Sequence, residues 1–183
     1  MSDIATDADA ARVERFRRER QFGRRCALQF LYQADVQDDW GNLARNLGLL
    51  KDQVCDLEDA LEGPSFEHAW EFAERLIRGV VSERQNLDER IAASATNWTL
   101  ARMSIIDRNI LRLAGYELYY CHDVPDLTAL DEGVELAKLF GHADSSRFVN
   151  GVLDRLLRDR QTLGPAAEAA PANPADPAAK EGG

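Results

Sequence analysis

Apolar residues recur at three- and four-residue intervals along most of the chain, and no stretch alternates apolar with polar residues as a half-buried strand would. The pattern predicts an all-α protein. A first helix is expected over residues 12–37, with Gly23 as a point of interruption and Ala27, Phe30, Leu31 and Ala34 as its core stripe. A second is expected over 42–61. A third follows Pro64, with Ser65 as N-cap, and runs to 94. A fourth spans Thr99 to Cys121 and buries Met103, Ile106, Ile110, Leu113, Ala114 and Leu118 on one face. The Val124-Pro125 turn precedes a fifth helix over 127–140, which stops at Gly141. Asp144 or Ser145 caps a sixth that runs to 160, with Val149, Val152, Leu153 and Leu156 as core stripe.

A chain of 183 residues suits one helical domain. The expected division is a flexible N-terminus over 1–11, the helical domain over 12–163, and a disordered tail over 164–183. That tail holds eight alanines and four of the six prolines. Cys26, Cys55 and Cys121 fit neither a disulfide framework nor a zinc spacing, and read as buried small apolar residues in a reducing compartment. No apolar run approaches the roughly 18 residues of a membrane span. The acidic N-terminus lacks the apolar core of a signal peptide, so a cytoplasmic location is expected.

Enzyme chemistry finds little support. His68, His122 and His142 fall in separate elements without metal or triad spacing. His68 and Glu71 share a helix face, but a di-metal site needs a second such pair and further carboxylates. No Gly-rich phosphate loop occurs, and Ser145 and Ser146 read as helix-capping residues. The expectation is a non-enzyme with no catalytic residues, no metal and no cofactor.

Charge changes the picture. The net charge of −10 argues against nucleic acid, yet residues 12–25 hold seven arginines against two glutamates. Residues 35–74 hold eleven acids against Arg45 and Lys51. Such polarity fits an anionic partner at one end and a cationic one elsewhere, or simply solvated faces. At about 100° per residue, Arg18, Arg25, Gln29 and Tyr32 fall on one flank of the first helix, away from its apolar stripe. Arginine neutralises phosphate, tyrosine stacks on bases, and glutamine bonds base edges. Arg20 and Arg24 lie off that line but within reach of the same RNA backbone. On the sixth helix, Asp144, Phe148, Gly151 and Arg155 line one flank, with Phe148 at the margin of the core stripe. A marginal Phe stacks on an unpaired base or completes the core; the pattern alone favours the core.

Residues 98–157 carry a family resemblance. Asp107-Arg108 followed by Ile110-Leu111-Arg112-Leu113, then Glu135 to Lys138, then Phe148 to Asp154, resemble in order and spacing the NusB transcription antitermination family. Arg24-Arg25-Cys26-Ala27-Leu28-Gln29 and Leu31-Tyr32 match its N-terminal motif. The resemblance implies an all-helical fold of six or seven helices arranged as two small subdomains. It implies binding of single-stranded boxA RNA through Arg20, Arg24, Gln29, Tyr32, Asp144, Arg147 and Phe148; Arg18 and Arg25 join from the helical wheel alone. It also implies a second partner, NusE, a basic ribosomal protein met by Asp107, within an antitermination complex on RNA polymerase that acts on ribosomal RNA operons. Asp131 and Gly133 depart from the family pattern, and Gly133 is expected to weaken the fifth helix. Two alternatives stand beside this reading. One is an RNA-binding module related to those that precede ribosomal RNA methyltransferase domains. The other is a helical interaction or homodimerisation module without RNA.

Overall fold

Six α-helices and one 3-10 turn make up the described residues, 2–56, 61–96 and 98–163, of the computed structural model. In chain order they are α1 (Ser2–Gln37), α2 (Leu43–Cys55), α3 (Gly63–Ser94), the 3-10 turn Leu100–Arg102, α4 (Ile105–Tyr120), α5 (Asp126–Phe140) and α6 (Ser145–Leu163). No strand occurs among the described residues. The first three helices pack on one another, as do the last three, and α1 and α3 both lie against α4 to join the two halves. Residues 164–183, expected to form the tail, lie outside the described residues.

Helix boundaries differ from expectation where local chemistry overrides periodicity. Helix α1 starts at Ser2 instead of 12, on a segment free of Gly and Pro. It continues through Gly23 without a break. That glycine is a contact point: a Cβ there would stand 2.6 Å from the Ala69 carbonyl oxygen on α3. Ser65 is not the N-cap of α3; Glu62 is, and Pro64 occupies the first turn, where its missing N–H costs nothing. The expected fourth helix is split. The 3-10 turn ends at Arg102, and α4 begins anew where the Ser104 hydroxyl accepts the Asp107 N–H at 3.0 Å. At the start of α6 the Asp144 carbonyl accepts the Phe148 N–H, while the Ser145 hydroxyl accepts the His142 N–H and closes the preceding turn.

Helix α4 is buried almost all round, where the sequence suggested a single apolar face. Asn109, Arg112 and Glu117 are enclosed with Ile110, Leu111 and Leu118. Cys26 and Cys121 are buried as expected, but Cys55, at the end of α2, is exposed.

Gly133 changes meaning in three dimensions. Glycine costs a helix about 1 kcal/mol against alanine. Here, however, a Cβ would lie 3.0 Å from the Ala114 Cβ on α4 and 2.9 Å from Leu153 Cδ1 on α6. Its absence lets the three helices close. Gly151, in contrast, faces open space. Gly133→Ala is expected to destabilise by about 1–3 kcal/mol through overpacking. Gly151→Ala is expected to stabilise by up to about 1 kcal/mol. Urea unfolding of the two variants checks the opposite signs.

Candidate nucleic-acid interface

The rotation of α1 about its axis is set by its polar contacts with α4. Arg24 donates to Glu117 through Nε at 2.9 and 3.2 Å and through Nη2 at 2.7 Å, and lies 3.7 Å from Glu132 of α5. Three turns along, Asp35 accepts from Arg108 Nε at 2.6 Å, Asn109 Nδ2 at 2.8 Å and Arg112 Nη1 at 2.8 Å. Arg112 is held on its other side by Asp88 of α3 at 2.7 Å. Burial would raise the Asp35 carboxyl, but hydrogen bonds from Arg108 and Asn109 and the charge of Arg112 hold it below the usual carboxylate range. At Glu117 burial wins over the pull of Arg24, and its carboxyl is pushed up.

With Arg24 and Asp35 facing inward, the neighbouring flank of α1 faces out. Arg25 and Tyr32 are exposed and Gln29 is half-buried. All three line a cleft of about 620 Å³ whose opposite wall is Ile105 and Ile106 at the start of α4, with Phe140 and His142 at the end of α5. Arg18 is exposed two turns before Arg25 and has no carboxylate partner among the described residues. Asp144 and Arg147 are exposed at the start of α6, shortly after His142.

Four expected contact residues are placed differently. Arg24 is 3% exposed and its guanidinium is occupied by Glu117, so it braces the core and offers nothing to a ligand. Arg20 leans over the Phe72 ring at 4.0 Å and reaches Asp123 at 3.4 Å. It lines a second cleft of about 680 Å³, between α1 and α5, together with Asp131, Glu132 and Glu135. Arg17, Arg24, Lys138 and Asp123 line it too, so its charges balance, and Arg20 and Arg24 are already paired with carboxylates. Phe148 is half-buried against the core, and its ring meets that of Trp98 at 5.8 Å between centroids and 59° between planes. Asp107 is buried at the first turn of α4, with Oδ1 lacking a hydrogen-bond partner.

Sequence reasoning missed the far wall of the cleft and Trp98. The wall residues come from the start of α4 and the end of α5, far apart in sequence, and show no joint pattern. Trp98 stands alone before a helix start, where nothing marks an aromatic as exposed. No cluster of three or more His, Cys, Asp or Glu is placed to hold a metal ion among the described residues. Nor is any of the helices long and apolar enough to cross a membrane, again among the described residues.

An all-helical protein with a mainly apolar cleft, edged by Arg25, Gln29 and Tyr32, at the end of its central helix is the class this geometry defines. Residues 23–158 match the model of the NusB family. The transcription antitermination protein NusB of Symbiobacterium thermophilum is 42% identical over 151 residues, covering 82% of this chain and 96% of the relative. That of Geotalea daltonii is 39% identical over 140 residues, covering 75% and 92%. The structure of NusB from T. maritima superposes with a TM-score of 0.64 at 33% identity, over 77% of this chain and 92% of that one. A structure of the antitermination factors NusB and NusE in complex with double-stranded RNA contains a chain of the same fold, with a TM-score of 0.66 at 22% identity over 78% and 98%. The chain belongs to the NusB family.

Arg24→Gln is expected to cost about 3–5 kcal/mol, because it strands a buried carboxylate. The double variant Arg24→Met with Glu117→Leu is expected to recover most of that loss. Urea unfolding checks both. A loss below about 1 kcal/mol in Arg24→Gln would return Arg24 to the set of surface contacts.

Proposed function

We propose that the chain is a non-catalytic transcription antitermination factor that binds single-stranded, boxA-like RNA. The RNA contacts are assigned to Arg18, Arg25, Gln29 and Tyr32 on α1 and to Asp144, Arg147 and Phe148 at the start of α6. The observation that carries the reading is that Arg25, Gln29 and Tyr32 share one open cleft. A guanidinium, an amide and a half-exposed phenol ring supply phosphate neutralisation, base-edge bonding and stacking. The relatives' shared name supports the antitermination role, and an assembly of NusB and NusE with double-stranded RNA on the same fold supports RNA and NusE as partners.

NusE is the proposed protein partner, reached at the start of α4. Asp107, 8% exposed at the first turn of α4 with Oδ1 closed to solvent, lies beneath that surface. Leu139 and Phe140, 67% and 46% exposed near the same end, supply apolar area for such a contact. The acidic excess of the chain would speed encounter with a cationic partner. The assembly is proposed to act with RNA polymerase on ribosomal RNA operons. The relatives are matched over nearly their whole length and are named as antitermination proteins, which favours this reading over a methyltransferase module.

Fluorescence anisotropy of a labelled boxA-like RNA, with scrambled and duplex controls, tests the proposal in the presence and absence of NusE. Preference for the single-stranded boxA-like RNA, tightened by NusE, is the expected result. With phosphate contacts from Arg18, Arg25 and Arg147, the slope of log K against log salt is expected near −2. Tyr32→Ala is expected to weaken binding by about 1–3 kcal/mol. Binding no better than to the scrambled control, with NusE present, would overturn the reading.

A further inference from the structure

Trp98 is the feature of the surface that the cleft leaves unexplained. The chain has three tryptophans. Trp70 is buried, and Trp40 is half-buried beneath the Arg84 guanidinium at 4.4 Å, but Trp98 is 46% exposed. The described residues just before it, Ser94 and Thr96, are tied to α6. Arg155 on α6 donates to the Ser94 carbonyl at 2.9 Å and to the Thr96 hydroxyl, and the Ser94 hydroxyl donates to Asp159 at 3.3 Å. The Trp98 N–H donates to the Ala95 carbonyl at 3.0 Å. The indole is therefore held in place while much of its surface stays in water.

Its neighbours are an aromatic support and two cations. Phe148 packs against the core from α6, and the indole tilts against its ring. The Arg102 guanidinium carbon lies 5.2 Å from the indole centroid. Arg147, next to Phe148, is exposed. Neither arginine has a carboxylate partner among the described residues. The same end of the molecule adjoins the cleft, because Arg102 precedes the cleft residue Ser104 by two positions. Preorganised aromatic surface flanked by unpaired guanidinium groups is the arrangement that receives unpaired bases and their phosphates.

We propose that Trp98 is a second base-stacking site for single-stranded RNA, with Phe148 as the support beneath it and Arg102 and Arg147 meeting the flanking phosphates. The inference rests on the RNA reading above and deepens it by adding the exposed indole to the stacking surface beside Phe148. An RNA strand would then run from the Tyr32 cleft across the start of α4 to Trp98.

The test uses the full chain and a labelled boxA-like RNA, read by anisotropy and by tryptophan emission, with circular dichroism to verify folding. Trp98→Leu keeps apolar bulk but removes the π surface; it is expected to weaken binding about tenfold. Trp98→Phe is expected to restore most of the affinity. Wild-type emission is expected to change on RNA addition, and Trp98→Phe is expected to abolish that change while Trp40 and Trp70 remain. Wild-type affinity in Trp98→Leu, with RNA-insensitive emission in the wild type, would overturn the second site while leaving Tyr32-dependent binding standing. Absence of RNA binding by the wild-type chain would overturn the RNA reading and this inference with it.

Discussion

Helix α4 is enclosed on nearly every side, yet it carries Arg108, Asn109, Arg112 and Glu117. A buried charge without a partner costs several kcal/mol, so these groups dictate what packs around them. Helix α1 answers at two points, with Arg24 on Glu117 and Asp35 on Arg108, Asn109 and Arg112, and α3 supplies Asp88. Residue numbers rise along α1 as they fall along α4, so the two helices run in opposite directions. Two rivets about 16 Å apart along α1 fix both its slide and its rotation. The positions one step round the helix, Arg25, Gln29 and Tyr32, are thereby turned into the cleft. The ion pairs of the interior thus determine which arginines reach solvent.

The two rivets are not equivalent. Asp35 receives three donors and its carboxyl is held low despite burial. Glu117 is more deeply enclosed, faces Glu132 as well as Arg24, and is pushed up. The second half of the molecule closes by shape, with Gly133 admitting α4 and α6 to close contact and Tyr119 donating its hydroxyl to the Leu156 carbonyl at 2.9 Å. Arg155 and Ser94 then bind the end of α3 to α6 and present Trp98.

Periodicity made the helices and most of their core stripes legible: Ala27, Phe30, Leu31 and Ala34 are buried, as are Val149, Val152, Leu153 and Leu156. Helix ends were less legible because they depend on single caps, such as Ser104, and on the conformations between elements. The enclosure of α4 was hidden because its polar residues break the apolar pattern, and only their partners on other helices make them tolerable inside. Around α1 the helical wheel separated the outward Arg18 and Arg25 from Arg20 and Arg24. The motif match did not, since an arginine that braces the core and one that meets solvent look alike in a motif. Gly133 reads as a defect until its neighbours are known. Trp98 carries no signal at all without the loop that holds it.

The most direct measurement is a pair of ¹H–¹⁵N NMR spectra of the full chain, free and with boxA-like RNA. The account predicts the largest amide shifts at Arg25, Gln29 and Tyr32 and at the start of α6, with Trp98 indole perturbed and Arg24 little changed. Shifts concentrated instead along the α1–α5 cleft around Asp131 and Glu135, with the Tyr32 cleft silent, would contradict it.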